Sequence, residues 1–390
     1  YISAYLQQAD QAVNISNWFH SNESETELTD VTKVLIANVT DGDDSRLVTE
    51  DYPAATAKRK KPSSKQKRLA EFLKKDWSLL SEKEAKELPL FLQTTRKKCR
   101  ELFEANKDFM SYENALLVEQ IYNGDLSKLS FFGPAGTGKT MTAQMIAGAL
   151  HLPFQLVVGK AGVDSSVYLG YESIVSNNGT SVTKWHDGNI TQAVRYGALL
   201  LFDEVNFTNP EVLGSMNTLL DGSQCLVMDS GEVVPAHKHF VYIEAMNIGV
   251  GYDGTSEMNN SWTNRIAEHV QFKPFSVEEE VEILSRNTGY ERKDVLKKLV
   301  QIEHSIRKQI PVLGDASTQV ISIRNIQNWI RKAKYTDEWV ESAIPTVLAP
   351  LFKTSEEFES FDFTSLTDES FLSTVMSEIK DSLEYETYEE

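Results

Sequence analysis

The chain has 390 residues, 41% of them hydrophobic and 25% charged, the balance of a soluble globular protein with room for two domains and appendages. Its formal net charge of −18 excludes a nucleic-acid binder that works by bulk electrostatics. No apolar run approaches the ~20 residues of a membrane span.

The start, Tyr1-Ile2-Ser3, lacks the basic region and apolar core of a secretory signal, and the missing Met indicates that residue 1 is not the natural start. Cys99 and Cys225 stand far apart and outside any metal-type spacing, so two free thiols in a reducing cytoplasm are expected. Residues 1–56 are polar with one strand-like patch, Val31 to Val39, and read as a small N-terminal module. Residues 57–109 combine a basic linker with a helical segment. Lys58 to Arg68 holds seven Lys/Arg and no acid. A solvated linker is the favoured reading there, with a nucleic-acid contact or a contact with the acidic tail as alternatives. Apolar spacing predicts helices from residue 69 to residue 122, broken at Pro89.

Residues 110–274 read as one domain, within which residues 128–272 alternate strands and helices. Predicted strands are Leu129–Phe132, Phe154–Val158, Ala198–Phe202 and His239–Ala245, with helices at Lys139–Leu150, Asn189–Tyr196 and Pro210–Leu220. The fold class is therefore α/β, a three-layer domain on a parallel sheet. Residues 275–350 read as a small helical lid domain, with helices at 276–287, 292–308, 322–333 and 337–344. Residues 351–390 form a tail with twelve acidic and two basic residues, interleaved with Phe and Leu. Within it, Phe371 to Leu383 has the pattern of an amphipathic helix.

Chemistry concentrates in two motifs. The first is Gly133-Pro134-Ala135-Gly136-Thr137-Gly138-Lys139-Thr140, between an apolar strand and a helix that continues with Met141. Strand, glycine-rich loop and helix together are the context of a phosphate-binding P-loop. The glycines let backbone N–H groups turn toward phosphate oxygens, Lys139 reaches the terminal phosphates, and Thr140 holds Mg²⁺. The second motif, Ala198-Leu199-Leu200-Leu201-Phe202-Asp203-Glu204, sets two carboxylates at the carboxyl edge of a strand. Asp203 is expected to hold the Mg²⁺ water shell, and Glu204 to polarise an attacking water as general base.

The segment from Asp203 through Pro210 to Leu213, with Asn217-Thr218-Leu219-Leu220-Asp221-Gly222 and Trp185-His186-Asp187-Gly188-Asn189-Ile190, resembles the MoxR-like AAA+ ATPases of the dynein-related group, nearest the CbbQ, NorQ and GvpN types. The resemblance spans roughly residues 110–345. It implies sensor 1 at Asn247, an arginine finger at Arg265 serving the neighbouring subunit, and sensor 2 at Arg324. It implies a pore-facing insert within residues 162–183 and a hairpin over Cys225 to Val234. It further implies ATP and Mg²⁺ as ligands, a hexameric ring, and a protein partner, often one with a von Willebrand factor A domain. Two alternatives stay open: a nucleic-acid-associated motor or McrB-like GTPase, and a slow nucleotide-switched scaffold. His237 and His239 lie on alternate positions without an obvious acidic partner in sequence, and read as packed or solvent-facing rather than as metal ligands.

Overall fold

A computed structural model describes residues 64–75, 77–177, 180–228, 230–247, 260–309, 322–336 and 342–348. The expected N-terminal module, the acidic tail and most of the helix expected at 337–344 lie outside the described residues.

Among the described residues, four helices precede the sheet: α1 (Ser64–Lys74), α2 (Glu82–Glu87), α3 (Leu90–Asn106) and α4 (Tyr112–Asn123). The basic stretch expected to be linker is thus already helical from Ser64. Arg68, its last cation, bonds Glu119 on α4 at 2.7 Å. Ser81 and Glu84 form a reciprocal capping box at the start of α2, and Ser111 caps α4, which stops at Gly124 in the left-handed region. Phe72, Trp77 and Tyr122 form an aromatic cluster with centroids 4.3 to 5.7 Å apart, fastening α1 to α4.

The central sheet contains β1 (Lys128–Gly133), β2 (Phe154–Val158), β5 (Leu199–Asp203), β8 (Val241–Asn247) and β9 (Glu268–Gln271), in the order β2-β5-β8-β1-β9. All pairings within it are parallel. Its central strands are near-continuous apolar runs, as a sheet covered on both faces requires. Phe131, Leu199, Leu200, Leu201, Phe202 and Ile243 are wholly buried. Helix α5 (Lys139–Ala149) follows β1 and packs against α3 so tightly that a Cβ on Gly148 would lie 2.1 Å from the Cys99 carbonyl oxygen.

After α6 (Ser165–Leu169), a two-stranded antiparallel hairpin of β3 (Gly170–Asn177) and β4 (Thr180–Asp187) leaves the domain, where an insert was expected. Helix α7 (Asn189–Tyr196) leads into β5. The single helix expected at Pro210–Leu220 is two short ones, α8 (Pro210–Ser215) and α9 (Asn217–Leu220), separated at Met216. The hairpin expected near Cys225 is present as β6 (Cys225–Val227) and β7 (Val233–Pro235). Helix α10 (Asn260–Thr263) then precedes β9.

Among the described residues, the region expected to form a lid holds α11 (Val277–Thr288), α12 (Lys293–Gln309) and α13 (Ile323–Thr336), followed by a π-helical turn at Ile344–Leu348. They bury Leu284, Leu296, Leu299, Ile326, Trp329 and Ile330 among themselves.

Candidate nucleotide site

The sheet register gathers the site. Gly133 on β1 pairs with Asn247 on β8, and Asp203 on β5 pairs with Ala245 on β8. The carboxyl ends of three adjacent strands therefore present the loop, the acidic pair and Asn247 at one edge, beside the place where the strand order reverses. Open α/β sheets bind ligands at such a point.

The loop 133–138 curls before α5. Gly136 and Gly138 both have positive φ, +80° and +87°, which glycine adopts without a Cβ penalty. Thr137 closes the curl by donating its hydroxyl to the Pro134 carbonyl at 2.8 Å. Lys139 begins the helix and is 6% exposed. Its ammonium donates to the carbonyls of Gly133 and Pro134 and to Asn247 Oδ1, each at 2.8 Å. Burial lowers its pKa to about 8, with the Asp203 carboxylate opposing that shift and the Arg324 guanidinium adding to it. A buried cation held by three neutral acceptors is suited to an incoming anion. The Thr140 hydroxyl donates to Asp203 Oδ2 at 3.2 Å. Hydroxyl and carboxylate oxygens side by side suit a hard divalent cation such as Mg²⁺. Met141 is 41% exposed on the first turn of the helix.

Glu204 follows β5 in the left-handed region, φ 54° and ψ 36°, an uncommon conformation for a residue with a side chain. Its backbone N–H bonds Asp203 Oδ1 at 3.0 Å. The turn rests on Gly159, whose missing Cβ would lie 2.3 Å from the Glu204 carbonyl oxygen and 2.4 Å from Thr208 Oγ1. Gly159 also donates its N–H to the Asp203 carbonyl at 2.8 Å. Sequence reasoning missed Gly159; its signal was a glycine directly after β2, the strand that pairs with β5.

The C-terminal helical region reaches the same place. A Cβ on Gly136 would sit 3.0 Å from Ser322 Cβ, and one on Gly138 would sit 3.4 Å from the Phe275 ring. Ser322 caps α13 jointly with Asn325, whose Oδ1 accepts from the Ser322 N–H at 3.0 Å. Arg324, exposed on the first turn of α13, therefore stands next to the loop, within electrostatic reach of Lys139.

Arg265 is not brought to this cluster. It precedes β9, and Ala267 bonds the Lys128 carbonyl at the amino end of β1. Its charge acts on Asp221, whose carboxyl is held low mainly by the Ser223 backbone N–H, and also by Arg265 and Lys128. The length of β1, roughly 17 Å for five residue steps, separates that edge from the phosphate loop. His237 and His239 are packed as expected, but His237 does have an acidic neighbour: its Nε2 lies 3.3 Å from Glu84 Oε1. No helix among the described residues is long and apolar enough to cross a membrane.

Residues 128–266 match the family described as AAA domain (dynein-related subfamily). An uncharacterized protein of Staphylococcus saprophyticus is 28% identical over 221 residues, 56% of this chain and 81% of that protein. The uncharacterized protein YojN of Bacillus subtilis is 33% identical over 134 residues, 34% of this chain and 43% of YojN. An uncharacterized protein of Staphylococcus epidermidis is 33% identical over 162 residues, and the chain spans 59% of its length. A crystal structure of a candidate ATPase from Cytophaga hutchinsonii aligns over 76% of this chain and 96% of that one, at 15% identity and a TM-score of 0.37. Over residues 128–266 the chain is thus similar to AAA domains of the dynein-related subfamily, and that stretch lies on a parallel α/β sheet of the P-loop kind.

Proposed function

We propose that the chain hydrolyses ATP at a site shared between neighbouring protomers of a ring, and uses the cycle to remodel or activate a protein partner. Lys139, Thr140, Asp203, Glu204 and Asn247 are supplied by one protomer. Arg265 is supplied by the next, and Arg324 links lid angle to the nucleotide.

One observation carries this: four elements of the site converge within one chain while Arg265 lies at the opposite edge of the sheet. An arginine on that edge serves a phosphate only across an interface. When bound, Mg²⁺ at Thr140 and Asp203 supplies charge neutralisation on the phosphate oxygens. The chain's own work is positional. Lys139 balances terminal phosphate charge, Asn247 orients a water, and Glu204 accepts its proton.

The MoxR-like pattern supports a hexamer, a partner such as a von Willebrand factor A-domain protein, and a cytoplasmic setting. A nucleic-acid role through Lys58 to Arg68 is the second reading, which the net charge of −18 opposes. Residues 1–56 and 351–390 are proposed to select the partner, as separate regions flanking the ATPase and lid domains.

The test is a pair of variants assayed for nucleotide binding and turnover. Glu204→Gln should bind ATP normally and hydrolyse it about a hundredfold more slowly. Arg265→Ala should bind ATP within about twofold of wild type and lose turnover to a similar degree. Undiminished turnover in both variants would overturn the assignment.

A further inference from the structure

Glu244 is a carboxylate in the middle of the most central strand, and it is wholly buried. Register places it beside Phe202 on β5 and Ser130 on β1. Its Oε2 accepts from the indole N–H of Trp262 at 2.7 Å and from the Tyr242 hydroxyl at 3.3 Å. The Tyr242 and Trp262 rings meet edge to face, with centroids 6.4 Å apart. A buried carboxyl is costly unless it secures something.

What it secures is the turn that carries Arg265. Trp262, 3% exposed, lies on α10, and its carbonyl accepts the Arg265 N–H at 3.0 Å. The next turn bond, from the Ile266 N–H to the Thr263 carbonyl at 3.2 Å, closes the same loop. The indole bond therefore ties the arginine-bearing turn to β8, the strand that ends in Asn247. Asn247 and the turn that carries Arg265 are thus fixed to a single strand.

We propose that Glu244 and Trp262 are positioning residues for Arg265, setting the arginine that one protomer offers to the nucleotide of the next. This rests on Arg265 acting in trans. It assigns the pair no contact with nucleotide.

The test uses mixed rings. Glu204→Gln chains keep Arg265 but cannot turn over. Arg265→Ala chains keep the hydrolytic residues but offer no arginine. Mixing the two should restore turnover where a Glu204→Gln chain completes an Arg265→Ala site. If this control mixture restores nothing, it is the trans role of Arg265 that fails. Given rescue, Trp262→Phe placed in the Glu204→Gln chain should lower the rescued kcat about fivefold with KM unchanged. The same change in the Arg265→Ala chain should leave rescue unaltered, because that chain's turn serves no site. Glu244→Gln in the arginine-donating chain keeps an acceptor for the indole and should retain rescue within about twofold. Equal loss in either chain, or no loss in the donor, would overturn the proposal. Should Trp262→Phe fail to fold by stranding a buried carboxylate, the Glu244→Gln/Trp262→Phe double variant removes that charge and carries the same expectation.

Discussion

The ammonium of Lys139 donates to Asn247 Oδ1 at 2.8 Å, joining the phosphate loop to the end of β8 across 108 residues of sequence. The bond is possible because Gly133 and Asn247 are register partners on adjacent parallel strands. It holds the loop lysine against neutral acceptors, in a buried place where its charge is disfavoured.

That placement makes nucleotide binding depend on pH. Burial lowers the folded pKa of Lys139 from 10.5 to about 8, so its charged form is fully present only below pH 8. The same depression means that this lysine's contribution to stability is present above its unfolded pKa and is lost as pH falls through about 8. Phosphate favours the charged form, so binding should take up a proton above about pH 8. The dissociation constant for ATP should weaken about tenfold at about pH 9 relative to about pH 7. Calorimetry in buffers of different ionisation enthalpy, at about half a pH unit above that pKa, reads the proton uptake directly. Binding with no proton exchange there would contradict the buried-lysine geometry.

Glu244 should govern a second pH dependence, one of stability. Burial raises its carboxyl from 4.5 to about 7, against the opposing pull of Trp262, Ser130 and Tyr242. A raised folded pKa gives a contribution that is complete below the unfolded value and is lost as pH rises through about 7. A shift of that size corresponds to at most about 3 kcal/mol. Glu244→Gln removes it. In urea unfolding, wild type should lose stability between about pH 5 and about pH 8 relative to the variant. Parallel profiles for the two proteins would refute this.

The α3–α5 contact inverts the usual helix rule. Replacing a helical Gly by Ala normally stabilises by about 1 kcal/mol. At Gly148 the added methyl would meet the Cys99 carbonyl oxygen at 2.1 Å and Phe103 Cβ at 2.8 Å. Gly148→Ala should therefore destabilise by about 2 kcal/mol. Cys99, buried behind that contact with its thiol pushed up to about 12, should resist alkylation in the folded wild type. Partly exposed Cys225 should react first, so thiol titration should count one site before unfolding and two after. A Gly148→Ala variant as stable as wild type would mean that the two helices are not this close.

Much of the site was legible because its residues are adjacent in sequence or placed by strand ends. The loop 133–140 and the pair Asp203 and Glu204 announce their surroundings through the apolar runs before them. Asn247 was legible as the residue at the end of such a run. The helices α11, α12 and α13 were legible from apolar spacing around Leu284, Leu296 and Trp329. Strand β9 was not, because a short edge strand reading Glu268-His269-Val270-Gln271 alternates only weakly and is only partly buried. The β3–β4 hairpin escaped for a related reason: it exposes Tyr171, Ile174 and Val182, so burial imposes no clean period. Glu244 hid inside a strand predicted from its apolar neighbours, since a charge in a core strand has no periodic signature. Gly159 and Ser322 are spatial partners of Glu204 and Gly136 from distant segments, a relation that appears only once the sheet and the C-terminal helices are folded.

The proposed sharing of the site is tested most directly by the turnover of a one-to-one mixture of Glu204→Gln and Arg265→Ala chains, each expected to be nearly inactive alone. Random assembly leaves about a quarter of interfaces with an intact Glu204 facing an intact Arg265, so the mixture should recover up to about that fraction of wild-type turnover. Turnover no greater than the sum of the two variants measured separately would contradict a site completed between protomers.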